Sequence, residues 1–124
     1  MIHEIYHPHF SDDLIFLLHE LGKKKGHECL LQIDRTIEHI IRFPHKAAKL
    51  IYPPLTDYRK KKFFPIARPG KRQRPNMRLI YKYNPDNQTI YFLAVGIRLT
   101  EKPRNTKDIY QRIRNRNDQL YKKE

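Results

Sequence analysis

The chain has 124 residues, a formal net charge of +13 and a sequence pI of about 10.0. This length holds one modest core, so we expect a single domain over residues 1–124. The excess of positive charge predicts an anionic partner: nucleic acid, a membrane surface or an acidic protein. No apolar run approaches the roughly 18 residues of a membrane span, so we expect no membrane partner, and we expect no secretion signal. The single Cys29 excludes an internal disulfide and favours a cytoplasmic location.

Two amphipathic helices are predicted in the first half of the chain. Asp12 and Asp13 stand where acidic side chains favour the positive end of a helix. Leucines at helical spacing follow up to Gly22, which stops the first helix. A basic connection over residues 23–26 leads to a second helix at residues 27–42. Because the connection is short, we expect the helices to pack as an antiparallel hairpin.

Strands are predicted in the second half. Residues 63–68 favour a strand, which Pro65 confines to an edge or a bulge. Residues 77–98 are typical of a strand, a turn at residues 85–88 and a second, buried strand, since Pro-Asp-Asn favours turns. A last helix is predicted from about Thr106 to Tyr121.

This order of elements predicts an α+β fold. A weakly alternating segment at residues 1–6 adds a short edge strand. We expect an N-terminal helical hairpin packed on a small antiparallel sheet of about three or four strands, plus a C-terminal helix.

Two arginines lie at matching positions of the predicted hairpin. Arg78 is in its first strand and Arg98 is at the far end of its second strand. In antiparallel strands the start of one lies beside the end of the other, so the turn brings both side chains to one end. Two guanidinium groups at one end of a sheet require an anion, and phosphate suits their geometry.

The segment between Tyr58 and Pro85 contains no acidic residue. Cations and aromatic rings alternate along it, as in proteins that neutralise phosphates and stack unpaired bases. The alternative is a solvated basic surface with a few core rings. We predict RNA contacts at Lys60, Lys61, Lys62, Arg72, Arg74, Tyr81 and Lys82.

Familiar catalytic residues are scarce. No His, Cys or acidic cluster has metal-ligand spacing, and Ser11, the only serine, is explained as a helix cap. We therefore expect no metal and no cofactor. RNA can still be cleaved by attack of its own 2′-OH, with Arg neutralising charge, a crowded Lys as base and Tyr as proton donor.

The hairpin also resembles a known family. Arg-Leu-Ile-Tyr from Arg78, a short polar turn and a strand that ends in Val-Gly-x-Arg at Arg98 resemble the RelE/ParE superfamily, the toxins of bacterial type II toxin–antitoxin pairs. The resemblance implies that Arg78 and Arg98 hold the scissile phosphate. It also implies a tyrosine near the C-terminus as acid or stacking partner, which is Tyr110 in Asp-Ile-Tyr, with Tyr121 in reserve.

Members of this superfamily usually add basic residues on the strand before the hairpin. Arg68 and Lys71 are the nearest here, although residues 64–67 interrupt the expected alternation of cations. Ile97 replaces a His that some members carry in the Val-Gly-x-Arg motif.

The function implied by the resemblance is a ribosome-dependent mRNA endonuclease, with mRNA, the ribosome and an acidic antitoxin as partners. Two alternatives stay open: a poison of DNA gyrase, as in the ParE branch, and an RNA- or ribosome-binding module without catalysis. The hairpin arginines favour the first.

Overall fold

The computed structural model describes residues 1–50, 55–99, 108–113 and 116. Its elements are β1 (His3–Tyr6), α1 (Phe10–Arg42), β2 (Ala48–Lys49), β3 (Arg59–Phe63), β4 (Met77–Asn84), β5 (Thr89–Ile97) and α2 (Ile109–Arg112). The strands form a five-stranded sheet in the order β1-β5-β4-β3-β2. Among these described strands only β1 and β5 pair in parallel, so the α+β fold contains a mixed sheet rather than the smaller antiparallel one predicted.

The predicted hairpin is confirmed as β4 and β5. The Asn84 side chain accepts a hydrogen bond from the Asp86 backbone N–H at 3.0 Å, and Gln88 takes a positive φ of 52°, so local chemistry closes the turn. The pairing shifts between Ile80 and Tyr81, which leaves Leu93 as the extra residue of a β-bulge.

The helix α1 is broken at Gly22, whose φ of 81° and ψ of 169° are not helical. A Cβ on Gly26 would lie 2.9 Å from Leu18 Cδ2, although residues eight apart in a straight helix are separated by about 12 Å. The chain therefore turns back at Gly22, and the two arms of α1 lie side by side. The predicted basic loop at residues 23–26 is wrong, because helical structure continues through these residues.

The two faces of the sheet are covered differently. Side chains of α1 such as Leu17 and Ile33 pack on Leu79 and the other buried residues of one face. The opposite face, which we call the α2 face, carries Ile80 beneath Ile109 and further apolar residues. Side chains alternate along a strand, so every second residue of β4 reaches the α2 face.

An ion pair joins the start of α1 to the C-terminal segment. Arg116 donates two hydrogen bonds to Asp13, at 2.6 and 2.7 Å, and a third at 3.3 Å to the Leu93 carbonyl. Asp13 also accepts a bond from the Val95 N–H at 3.1 Å. Asp12 and Asp13 both lie in the first turn of α1, as predicted, and Asp13 is in addition buried where α1 meets β5.

Two further boundaries need correction. The strand before the hairpin is β3, and residues 65–68 form bends in place of the predicted strand over 63–68. Asp108 caps α2 by accepting a bond from the Tyr110 N–H at 3.1 Å. The proposed cap Thr106 and the end at Tyr121 lie outside the described residues. Within the described part of the chain, no helix combines the length and apolar character needed to cross a membrane.

Candidate functional site

Basic side chains meet on the α2 face at the open end of the hairpin. Lys62 of β3 pairs with Arg78 of β4, which pairs with Gly96 of β5. Arg98 follows β5 on the same face, and its N–H donates to the Asn76 carbonyl at 2.7 Å. The register thus gathers cations from neighbouring strands, as the hairpin geometry predicts for the two arginines.

Arg78 is held by backbone oxygens. Its Nη1 donates to the carbonyls of Pro75 at 2.7 Å and Met77 at 2.9 Å, and only 9% of the residue is exposed. Carbonyl acceptors are neutral, so they orient the guanidinium without cancelling its charge.

Arg98 is held by α2. Its Nη1 donates to the buried carboxylate of Asp108 at 2.9 Å, and its guanidinium carbon lies 4.7 Å from the centre of the Tyr110 ring. Asp108 also accepts a bond from the Leu99 N–H at 2.5 Å. A guanidinium has several N–H donors, so Arg98 can bind Asp108 and a phosphate together.

Tyr110 contacts both arginines. Burial raises the pKa of its hydroxyl, whereas the charges of Arg78 and Arg98 and a hydrogen bond with Arg78 act in the opposite direction. Arg has only donors, so the Tyr110 oxygen accepts this bond and its own proton stays available for donation. The hydroxyl is therefore protonated at neutral pH.

Lys60 lies on β3 beside the same groups. Loss of hydration and the nearby charges of Lys62, Arg78 and Arg98 lower the pKa of its ammonium group. Each cation makes a further proton on Lys60 less favourable, so a larger fraction of this side chain is a neutral amine than for an isolated Lys.

We call these five residues the cationic cluster: Lys60, Lys62, Arg78, Arg98 and Tyr110. Four cations and one tyrosine face the single carboxylate of Asp108 among the residues that the structure describes there. The arrangement can bind a phosphate, stabilise charge that develops on it and exchange protons through Lys60 and Tyr110.

The other predicted contacts are dispersed. Tyr81 is fully buried against α1, and its hydroxyl donates to the Pro44 carbonyl at 2.8 Å, so the prediction that it contacts RNA is wrong. Lys61 points to the α1 side of the sheet, where its charge acts on His39. Lys82 lies on the α2 face, nearer the turn. The remaining predicted cations are exposed on the segment between β3 and β4: Arg68, Lys71, Arg72 and Arg74.

Sequence reasoning missed the role of two features. Lys60 and Lys62 lie two residues apart on β3 and therefore share one face of the sheet. They are the basic residues on the strand before the hairpin, a role that the sequence analysis gives to Arg68 and Lys71. The signal was the pattern Arg-Lys-Lys-Lys-Phe, which places every second Lys on one face once it forms a strand. The sequence places Asp108 in the first turn of the predicted last helix and in the tyrosine motif, and no local pattern indicates that it holds Arg98.

Other site chemistry is not evident in the described part of the chain. The described residues contain no group of three or more His, Cys, Asp or Glu placed to hold a metal ion. A cavity of about 520 Å³ lies between the arms of α1, beside Tyr6 and His7, and is lined mainly by apolar side chains. It contains none of the predicted site residues.

Comparisons with known proteins find similarity in structure only. No protein-family model and no curated protein matches the chain. A doubly substituted RelE toxin of Escherichia coli in its free state is similar with a TM-score of 0.47 and 16% identity, over 77% of this chain and 82% of that one. A conserved hypothetical protein of Helicobacter pylori is similar with a TM-score of 0.43 and 18% identity, over 78% of this chain and 94% of that one.

Proposed function

We propose that residues 1–124 form a single RelE/ParE-like domain, the toxin of a bacterial type II toxin–antitoxin pair, which cleaves mRNA on the ribosome. The observation that carries this proposal is the cationic cluster, in which residues of β3, β4 and α2 and the residue that follows β5 meet on one face. The resemblance of the hairpin motif to this superfamily supports it.

The two arginines bind the scissile phosphate. Arg78 brings an uncancelled charge fixed by two carbonyls, and Arg98 brings a guanidinium oriented by Asp108. The negative charge on the phosphate oxygens increases as the 2′-oxygen attacks, so these preorganised donors stabilise the transition state more than the bound RNA.

Proton transfer then falls to the two remaining groups. Lys60, as a neutral amine, takes the proton of the 2′-OH while the 2′-oxygen forms a bond to phosphorus. The bond from phosphorus to the 5′-oxygen breaks, and Tyr110 donates its proton to that leaving oxygen. The products are a 2′,3′-cyclic phosphate and a free 5′-hydroxyl. The lowered pKa of Lys60 supports its role as the base, and the contacts of Tyr110 with both arginines support its role as the proton donor.

The partners follow from the charge. A net charge of +13 suits a ribosomal target, which is a dense phosphate surface, and it suits an acidic antitoxin that would cover the basic face. We place the protein in the cytoplasm, because the ribosome and the antitoxin are both found there.

Induction of the protein in a bacterium tests the proposal. We expect new in-frame mRNA 5′ ends and arrested growth. Arg78→Ala and Arg98→Ala should each lower cleavage by about 10²–10³-fold, the usual loss when one charge-stabilising donor is removed. Tyr110→Phe should reduce cleavage by a similar factor of about 10²–10⁴, because it removes the proton donor together with the acceptor of the bond from Arg78. Ribosome binding should weaken only partly, since other cations remain.

The matched control is Lys24→Ala, which removes one exposed cation from α1, away from the cluster. It should cleave like the wild type. Relaxed or broken DNA without mRNA cuts would show a gyrase poison instead. Ribosome binding without any cut would show a non-catalytic module.

A further inference from the structure

A basic turn lies at the end of the sheet that carries the cationic cluster. We call residues 68–74, which belong to the connection between β3 and β4, the basic turn. Phe63 at the end of β3 pairs with Met77 at the start of β4. Met77 in turn pairs with Ile97, directly before Arg98. The basic turn and the cationic cluster therefore share one end of the sheet. The basic turn has four exposed cations: Arg68, Lys71, Arg72 and Arg74.

Local hydrogen bonds close the tip of the basic turn. The Gln73 N–H donates to the Gly70 carbonyl at 3.1 Å, which makes Lys71 and Arg72 the central residues of a β-turn. The side-chain oxygen of Gln73 also accepts a bond from the Gly70 N–H at 3.4 Å. The two cations at the tip are thus presented on a short, closed piece of backbone.

Both limbs of the connection are attached to the rest of the protein. On the first limb, the Ala67 N–H donates to the Glu28 carboxylate of α1 at 3.3 Å. On the second limb, the Pro75 carbonyl accepts a bond from Arg78 at 2.7 Å. These contacts hold the basic turn beside the cationic cluster, so less conformational entropy is lost when its cations bind a partner.

The charge of the basic turn is not balanced by neighbouring acids in the described part of the chain. Among the residues that the structure describes, no carboxylate forms an ion pair with any of the four cations. Residues 67–76 contain no acidic residue, and the Glu28 carboxylate binds a backbone N–H. Four like charges within seven residues repel one another, so a partner with several closely spaced negative charges is favoured.

The composition of the basic turn selects among polyanions. Membrane surfaces and acidic proteins are normally bound with apolar or aromatic side chains beside the cations. Residues 67–76 contain no Val, Ile, Leu, Met or aromatic residue. Single-stranded RNA is normally held by rings that stack on unpaired bases, which this segment also lacks. An RNA duplex needs no such rings, since proteins recognise its shape through phosphates and 2′-hydroxyls.

We propose that the basic turn binds the sugar–phosphate backbone of an RNA duplex, while the cationic cluster takes a single strand. The proposal rests on the proposed function for its choice of RNA as the polyanion. Lys71 and Arg72 contact phosphates at the tip, and Arg68 and Arg74 contact the phosphates on either side. Because these contacts go to the backbone, binding follows the shape of the duplex and is independent of base sequence.

Binding of a fluorescently labelled RNA duplex of about 16 base pairs, the length that a compact duplex-binding domain spans, tests the proposal. Fluorescence anisotropy over a range of salt gives the dissociation constant and its salt slope. Lys71→Ala/Arg72→Ala should lower this slope by about 1 for each phosphate contact that is lost. The same variant should bind a single strand of 2′-O-methyl RNA, which cannot be cleaved, almost as the wild type does.

The matched control is Arg42→Ala/Lys49→Ala, which also removes one Arg and one Lys from exposed positions. Arg42 ends α1, and Lys49 pairs with Arg59 at the other end of β3. The control should therefore bind the duplex with nearly the wild-type salt slope. Arg68→Ala/Arg74→Ala, which removes the flanking cations, should act like the tip variant and replaces it if the tip variant lowers the urea midpoint.

Three results would overturn the proposal. A loss confined to the single strand would place the basic turn on the same RNA as the cationic cluster. Equal losses of duplex affinity in the turn and control variants would mean that only bulk charge matters. Displacement of the duplex by poly-glutamate at equal charge would show that an acidic protein serves as well as RNA. Duplex binding is measured without cleavage, so a protein that binds the duplex through the turn but cuts no mRNA refutes the endonuclease alone.

Discussion

Replacing Asp13 by Asn removes a charge from the buried ion pair that ties the C-terminal segment to α1. The side chains of Asp13 and Arg116 are 1% and 10% exposed, and two short hydrogen bonds join them. The neighbouring Asp12 provides a matched control, since its carboxylate is 61% exposed and faces the exposed His9. Both positions lie in the first turn of α1, so helix-dipole effects are shared.

The expected cost comes from the charge left behind on Arg116. Breaking a buried pair by removing one partner costs about 3–5 kcal/mol, because the remaining ion is desolvated without compensation. Asn can still accept the bond from Val95 N–H, which places Asp13→Asn near the lower end, about 3 kcal/mol. Asp12→Asn should cost below about 1 kcal/mol, the usual range for exposed pairs. Against a total stability of about 5–15 kcal/mol, the difference is large.

Urea unfolding followed by circular dichroism measures both variants. With a slope of about 1–3 kcal/mol/M, a loss of this size lowers the midpoint by about 1–3 M. Joint replacement, Asp13→Asn with Arg116→Met, should recover much of the loss, because no charge stays buried and Asn still accepts the bond from Val95 N–H. Equal midpoints for Asp13→Asn and Asp12→Asn would refute the reasoning, since they would mean that the pair is hydrated or absent in solution.

Three further predictions concern a glycine, a histidine and the carboxylate of the site. Gly96→Val places a side chain against the start of α2 and should cost about 1–3 kcal/mol in urea unfolding, whereas Gly70→Val, which faces open space, should cost much less. Burial lowers the pKa of His7 below its ordinary 6.5, so folded His7 stays neutral and its contribution to stability is lost as the pH falls below about 6.5. In His7→Gln, the urea midpoint should therefore fall less between about pH 7 and pH 5 than it does in the wild type. Asp108→Ala removes a helix cap and frees Arg98, so stability should fall by about 0.5–2 kcal/mol and cleavage should fall more than RNA affinity, measured by anisotropy.

Local chemistry made the hairpin predictable. The Pro-Asp-Asn turn and the apolar run after it fix the register of β4 and β5, and that register alone determines that Arg78 and Arg98 share one end. The site could be anticipated to this extent because its two arginines depend on contacts between neighbouring strands.

The position of β3 and the ion pair of Asp13 with Arg116 were not predicted, because both depend on contacts between distant parts of the chain. Residues 59–62 are all cations with weak strand preference, and they become β3 because they pair with β4. The apolar residues from Phe63 onward suggested the strand instead, although Pro65 cannot donate to a ladder. Asp13 and Arg116 are 103 positions apart, so no local pattern links them.

The parallel pairing of β1 with β5 has a consequence for biosynthesis. Three contacts made by residues 3–13 need residues much further along the chain: His3 pairs with Thr89, Tyr6 pairs with Phe92, and Asp13 binds Arg116. Such distant contacts form slowly, and each needs both of its partner segments outside the ribosomal exit tunnel. A nascent chain whose β5 is still in the tunnel therefore lacks the completed sheet. Assembly of the cationic cluster, which needs Tyr110, is thereby delayed until the segment that carries Tyr110 has left the tunnel.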